Sequence, residues 1–343
     1  MVSINVRIDT FKFKEKFIMK KQIIAAAVAA TMTSVAFADI SITGATKVNY
    51  TYTDKDNNTS TNTVKNETDV VIVGKNGDTS VTASIAMDDG NITGGDGSAQ
   101  TTASTLKLEN VYLSTKVGDV NLKVGDWDNG NNALRASSRK INKITASTTV
   151  GGIGIKVDTG TNGVMGSTTL STTVGGIAVS YKDNATNSSS ETKVSGSFAG
   201  INAAYHLMSG ATSATDKSMI ELGMDLGDAS VKIGRLEADA SAQITGESWF
   251  GDYEESTGAM ALDNGQDVTA MEIATAVAGN SVKFRHAQID DGSSSTDTSF
   301  NKIIVTRPLA NGTTFEMTYT DTDDDAGTST SSSVIDLELA VKF

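Results

Sequence analysis

The last thirteen residues, SSSVIDLELAVKF, set Ile335, Leu337, Leu339, Val341 and Phe343 at strict alternate positions, with Asp336, Glu338 and Lys342 between them. Wound as a helix at about 100° per residue, the stretch would put Asp336 in the same sector as Ile335, Leu339 and Phe343, and no clean apolar face would exist. Extended, with successive side chains on opposite faces, it carries every apolar residue on one side and every charge on the other. The segment is therefore a strand, whose apolar face can meet either a protein core or a lipid bilayer. The stretch DISITGATKVNYTYT has the same texture: Ile40, Ile42, Val48, Tyr50 and Tyr52 share one parity, and Ser41, Thr43, Lys47 and Asn49 the other. Two such ends predict that first and last strands pair, closing a sheet and removing its edges.

Between them, alternating segments are joined in two different ways. Short turns occur at KNGD (75–78), VGDV (117–120), VGGI (150–153 and 174–177), FAGI (198–201), LGDA (226–229), VAGN (277–280) and PLANG (308–312). Each supplies Gly or Asn for the positive φ of a tight hairpin. Long polar segments fall around 54–63, 88–103, 127–140, 159–166, 184–190, 209–216, 238–266, 290–297 and 321–332. Short turns alternating with long loops trim one end of the sheet and elaborate the other, the asymmetry of a transmembrane antiparallel β-barrel with periplasmic turns and extracellular loops. The expected fold is all-β, with 16 to 18 strands; eight turns and nine loops give 18.

Composition supports a barrel of this kind. Only 38% of residues are hydrophobic, and after residue 38 no apolar run approaches the length of a spanning helix. The segment MKKQIIAAAVAATMTSVAFAD has two lysines, an eight-residue apolar run and Ala36-Phe37-Ala38 before Asp39. That is the order of a secretory signal peptide, expected over 19–38 and cleaved after Ala38. Residues 1–18 then form an upstream extension from an over-long gene start, and 39–343 the barrel. The chain has no cysteine and a net charge of −13, and residues 1–38, expected to be absent from the barrel, hold six of its basic and two of its acidic residues. So acidic a surface argues against nucleic acid, whose phosphates need clustered Lys and Arg. Divalent cations bridging to an anionic surface suit it better. A soluble or surface-exposed alternative, a β-rich adhesin with acidic loops, shares the composition but does not need long loops at one end only.

The leader, the hairpin ENVYLSTKVGDVNLKVGD (109–126), TTFEMTYTDTDDD (313–325) and the terminal LELAVKF together resemble the general diffusion porins of Gram-negative outer membranes. The resemblance covers residues 39–343 as architecture and these patches as sequence. It implies a water-filled channel for passive diffusion of small hydrophilic solutes and ions, contact with outer-membrane lipid and lipopolysaccharide, and a homotrimer. It makes Phe343 an address read by the outer-membrane assembly machinery. By family position DWDNGNNALRASSRK (126–140) is the third loop, folded into the lumen as the constriction, with Asp126 and Asp128 set against Arg135, Arg139 and Lys140. A balanced, solvated surface loop is the other reading. Family members often carry Gly-Arg where this chain has Gly125-Asp126, and usually have 16 strands.

Arg or Lys facing lipid at mid-membrane costs about 2 to 4 kcal/mol, so bases on the parity opposite the apolar set should face inward. That parity assigns Lys123, Lys156, Lys232, Lys283 and Arg285 to the lumen, joined by Glu316, Asp336, Glu338 and Lys342. A residue solvated near the rim is the alternative for each. Trp249, Phe250 and Tyr253 lie among Glu247, Asp252, Glu254 and Glu255 in the longest loop and read best as a girdle or a local cluster. Of two histidines, His206 and His286, neither has a serine motif near it, and no catalytic triad, cofactor motif or metal site is expected. DKDNN (54–58) and DTDDD (321–325) lack the Gly and Glu that complete a calcium loop.

Overall fold

The computed structural model describes residues 39–55, 59–88, 105–128, 134, 139–159, 165–185, 188–212, 215–239, 242, 265–290, 298–324 and 331–343. The signal peptide and upstream extension fall outside these residues, as do Arg135 and the aromatic cluster of the 238–266 loop. The described chain folds into 18 strands: β1 (Asp39–Lys55), β2 (Thr59–Asn76), β3 (Thr79–Asp88), β4 (Thr105–Val117), β5 (Val120–Asp128), β6 (Arg139–Val150), β7 (Ile153–Thr159), β8 (Met165–Val174) and β9 (Ile177–Asn184). The second half continues with β10 (Ser189–Phe198), β11 (Ile201–Ser209), β12 (Lys217–Leu226), β13 (Ala229–Ala238), β14 (Asp267–Val277), β15 (Asn280–Asp290), β16 (Thr298–Pro308), β17 (Thr313–Asp324) and β18 (Ser332–Lys342).

Every strand pairs antiparallel with its neighbours in sequence, and β1 also pairs with β18 in the register Ala45↔Lys342 to Lys55↔Ser332. The sheet is a closed barrel with no free edge. All eight short turns lie at one end. Gly77, Gly118, Gly151, Gly175 and Gly227 hold φ between +57° and +64° there, which a side chain would resist.

The closing seam has its own fit. Gly44 and Phe343 exchange both backbone hydrogen bonds, at 2.9 and 3.0 Å. A Cβ on Gly44 would lie 2.6 Å from Cζ of the Phe343 ring. The first strand thus has glycine where the last side chain lies across it.

Alternation separates the two faces of the wall. Outward positions hold Ile42, Val48, Leu113, Val124, Leu170, Val179, Leu222, Ile233, Ile273, Ile303 and Leu339, each more than a third exposed. An apolar surface that runs around the whole sheet has no place in water; it is the lipid-facing band of a barrel that crosses a membrane by strands. Toward the loops this band is edged by Tyr50, Tyr181, Tyr205 and Tyr319, and toward the turns by Phe198, Phe315 and Phe343, the aromatic girdles expected at two interfaces. Beyond the tyrosines the outward residues become Glu237, Asp267, Asp290, Asp321 and Asp323, with Arg235 paired to Glu237 and Asp267 at 2.8 Å each.

Candidate functional site

The lumen wall divides into three sectors. The first runs from β4 to β10, where inward positions carry Lys107, Lys116, Lys123, Lys143, Lys156, Lys182 and Lys193. Two carboxylates are set among them. Asp158 is 4% exposed, accepts from Thr145 Oγ1 at 2.5 Å and Ser167 Oγ at 3.2 Å, and lies 3.5 Å from Lys143 and 3.7 Å from Lys156. Glu191 meets Lys193 and His206 Nε2 at 2.8 Å each and Lys182 at 4.0 Å. Each carboxylate is buried against the wall while the Lys156 and Lys193 ammonium arms stay about half exposed. The sector therefore presents positive charge and hydroxyls to the water in the pore.

At its edge stands an aromatic pair. Tyr112 and Trp127 meet edge-on with ring centroids 6.2 Å apart, and the Lys123 ammonium lies 3.7 Å from one centroid and 4.5 Å from the other. Lys143 approaches the Trp127 ring to 5.6 Å. Such cation–π contacts hold a lysine in place without neutralising it. Beside the aromatic pair the β5–β6 register shifts between Gly125 and Trp127, with the extra residue on β6, and Gly125 has a φ of +138° and a backbone so close to the Val111 carbonyl that a side chain has no room.

The second sector, β17, β18, β1 and β2, lies about half a turn of the barrel away from β8 to β10. It is mixed in sign: Glu67, Asp69, Glu316, Asp336 and Glu338 share inward parity with Lys47, Lys65, Lys75 and Lys342. Lys47 pairs with Glu67 at 2.9 Å, Thr306 donates to Glu316 at 2.8 Å, and Thr51 donates to Asp336.

The third sector is unlike the others. On β13 to β16 the inward residues nearest the loops are Leu236, Ala238, Val268, Ala270, Ala287, Ile289 and Phe300, joined by Met208 and Met219 from β11 and β12. Two loop residues, Ala242 and Leu134, are buried in the same cluster, the latter 0% exposed. One row toward the turns, Glu272 receives Arg285 Nε at 2.6 Å with Lys232 at 3.7 Å, and Lys302 is buried beside them in register with Arg285. The apolar patch and the ion pairs beneath it are one packed block.

These placements sort the residues expected from sequence. Lys123, Lys156, Lys232, Lys283, Glu316, Asp336 and Glu338 stand on inward parity, and Lys342 lies in the closing seam. Arg285 is also inward but buried against Glu272, so it is a partner in the packed block and not a group offered to solute. Asp126 is a correction. It stands opposite Val111 on outward parity, and its carboxylate accepts the Asn142 N–H at 2.7 Å, because the residues on either side, Gly125 and Trp127, point inward. Asp128 pairs in register with Arg139, and Trp127 with Lys140, but the side chains of Asp128, Arg139 and Lys140 are outside the described structure. Lys143, Lys182 and Lys193 were not singled out from sequence, although the parity that assigned Lys156 assigns them too. Leu134 carries no such signal. His286 is on the outer face and bonds Asn301 at 3.0 Å.

A closed 18-strand barrel with an apolar outside and a charged, water-accessible inside defines the class: a membrane-spanning β-barrel with an aqueous lumen. Comparison with known structures agrees on the fold. Pseudomonas aeruginosa OccK2 (OpdF), solved in complex with glucuronate, matches 89% of this chain and 98% of its own at 9% identity and a TM-score of 0.62. A BenF-like porin from Pseudomonas fluorescens Pf-5 gives the same identity, coverage and TM-score. The outer membrane protein OprD of P. aeruginosa matches over 90% and 94% of the two chains, at 6% identity and a TM-score of 0.59. No protein-family model and no curated protein matches the sequence.

Proposed function

We propose that the chain is an outer-membrane channel through which small hydrophilic solutes and ions diffuse passively, with preference for solutes that carry negative charge. The observation that carries this reading is the β4 to β10 wall, where seven lysines share inward parity with two buried carboxylates in a chain whose overall charge is −13. A basic lumen inside an acidic protein concentrates anions where the solute must pass. The glucuronate held by one fold neighbour is a polyhydroxylated carboxylate, and the lysines and hydroxyls of Thr145, Ser167, Thr169, Ser171 and Ser180 suit that chemistry.

The remaining parts of the reading are supported by the sequence and by its resemblance to general diffusion porins. Residues 19–38 direct export and are removed, and Phe343 marks the chain for barrel assembly. The outward carboxylates beyond the tyrosines face the headgroup layer, where divalent cations bridge them to lipopolysaccharide. The chain associates as a homotrimer, and its work is transport without catalysis or a cofactor. Planar-bilayer recording tests the proposal: purified protein should insert and give ohmic open steps, and protein that inserts without them is not a channel. A barrel that also fails to shift in electrophoretic mobility on boiling would return the adhesin alternative.

A further inference from the structure

We infer that His206 is a selectivity-determining residue of the pore: it shares a carboxylate with two lysines of the lumen wall, and its protonation raises the preference for anions. The inference rests on the channel reading above. The chain has two histidines, and the other, His286, is on the outer face. His206 stands on inward parity of β11, in register with Lys193 of β10 and Met219 of β12, and is 4% exposed. Its Nε2 lies 2.8 Å from Glu191 Oε1, the same oxygen that Lys193 Nζ meets at 2.8 Å, while Lys182 of β9 stands 4.0 Å from Oε2. Three basic side chains therefore converge on one buried carboxylate.

That contact fixes where the titrating proton goes. An ionised carboxylate only accepts, so Nε2 carries a hydrogen whether the ring is neutral or charged, and the added proton lands on Nδ1. Protonation then needs no rearrangement of the pair. It takes the unit of Glu191, Lys182, Lys193 and His206 from one net positive charge to two. On the other side of His206 the charged groups are Lys217 and Glu221, which flank Met219 on the inward face of β12. Between about pH 5.5 and 8 histidine is the side chain that changes charge, whereas lysines and carboxylates ordinarily titrate outside that range. An imidazolium also takes a larger share of Oε1, which leaves the half-exposed Lys193 ammonium less neutralised toward the lumen water. An added unit charge about 10 Å away through water changes the local concentration of a small ion about twofold.

The reversal potential of the full-length barrel in a low-salt potassium chloride gradient tests this, recorded at about pH 8 and about pH 5.5. Heat-dependent mobility confirms that each variant is folded. The sign of the potential tests the anion preference, and its change with pH tests His206. The chloride-to-potassium permeability ratio of the unaltered channel should rise about twofold or more on acidification. His206→Gln, which keeps an N–H donor for Glu191 and cannot take a charge, should hold one ratio at both pH values. His286→Gln should respond as the unaltered channel does. An unaltered channel whose ratio does not move with pH, or a His206→Gln channel whose ratio still does, overturns the role of His206 while leaving the channel standing. An unaltered protein that gives no open steps overturns the channel reading itself. Should the Gln variant not form a heat-modifiable barrel, His206→Asn decides by the same readout.

Discussion

The two halves of the lumen wall are built from the same alternating strands yet do opposite work. On β4 to β10 the inward side chains are Lys, Ser and Thr, with carboxylates tucked between lysines and ammonium groups left in water. On β13 to β16 the inward side chains near the loops are Leu, Val, Ile and Phe, capped by two loop residues over a buried Glu272–Arg285 pair. Alternation fixes which side chains point inward but not whether that side is wet. What differs is that two loop residues, Leu134 and Ala242, are buried with the second set. The polar half is a surface, and truncating it should alter what passes. The apolar half is an interior, and truncating it should alter whether the barrel holds.

The sharpest way to break this comparison is Glu272→Ala. It leaves Arg285 and Lys302 buried without that carboxylate, and removing one partner of a buried pair costs about 3 to 5 kcal/mol. Urea unfolding in detergent micelles should show a loss of that order. Leu236→Ala, in the patch above it, should cost about 2 to 5 kcal/mol by the same measurement, at the low end if the loop residues settle into the space. Either variant unfolding like the unaltered protein would mean that the β13 to β16 block is wet after all.

Much of this was legible in the sequence, and the boundary has a physical basis. Eight turns and nine loops gave 18 strands because positive-φ turn residues and period-two patterning are local signals. Lys156, Lys232 and Lys283 follow from the cost of placing a base in lipid, a rule each residue obeys alone. Simple alternation from Val124 would also have put Asp126 outside; the loop assignment overrode it, and the strand continues through Trp127. Leu134 was not legible. It is one apolar residue in a polar segment, and its partners lie nine strands away, so only the closed barrel brings them together. The burial of Arg285 likewise depends on what covers the sheet, which no strand pattern contains.

Smaller effects sharpen the contrast. Gly44→Leu should disturb the seam, because its side chain must displace the Phe343 ring or the Asp69 carbonyl; slower conversion to the heat-modifiable form on refolding would register it. Lys47→Ala removes a half-exposed partner of Glu67, and such surface pairs are worth about 0.2 to 1 kcal/mol. Lys156→Gln on the basic wall should move stability by no more than about 0.5 kcal/mol. It should nonetheless shift the ion preference of the open pore toward cations, because Lys156 is about half exposed to the water that ions cross.

The most direct test of the basic half-lumen is the reversal potential of the unaltered channel in a potassium chloride gradient. With lysines lining the open side, the potential should take the sign of a chloride-preferring pore and move toward zero in Lys156→Gln. A reversal potential of potassium-preferring sign, unmoved by that substitution, would contradict it.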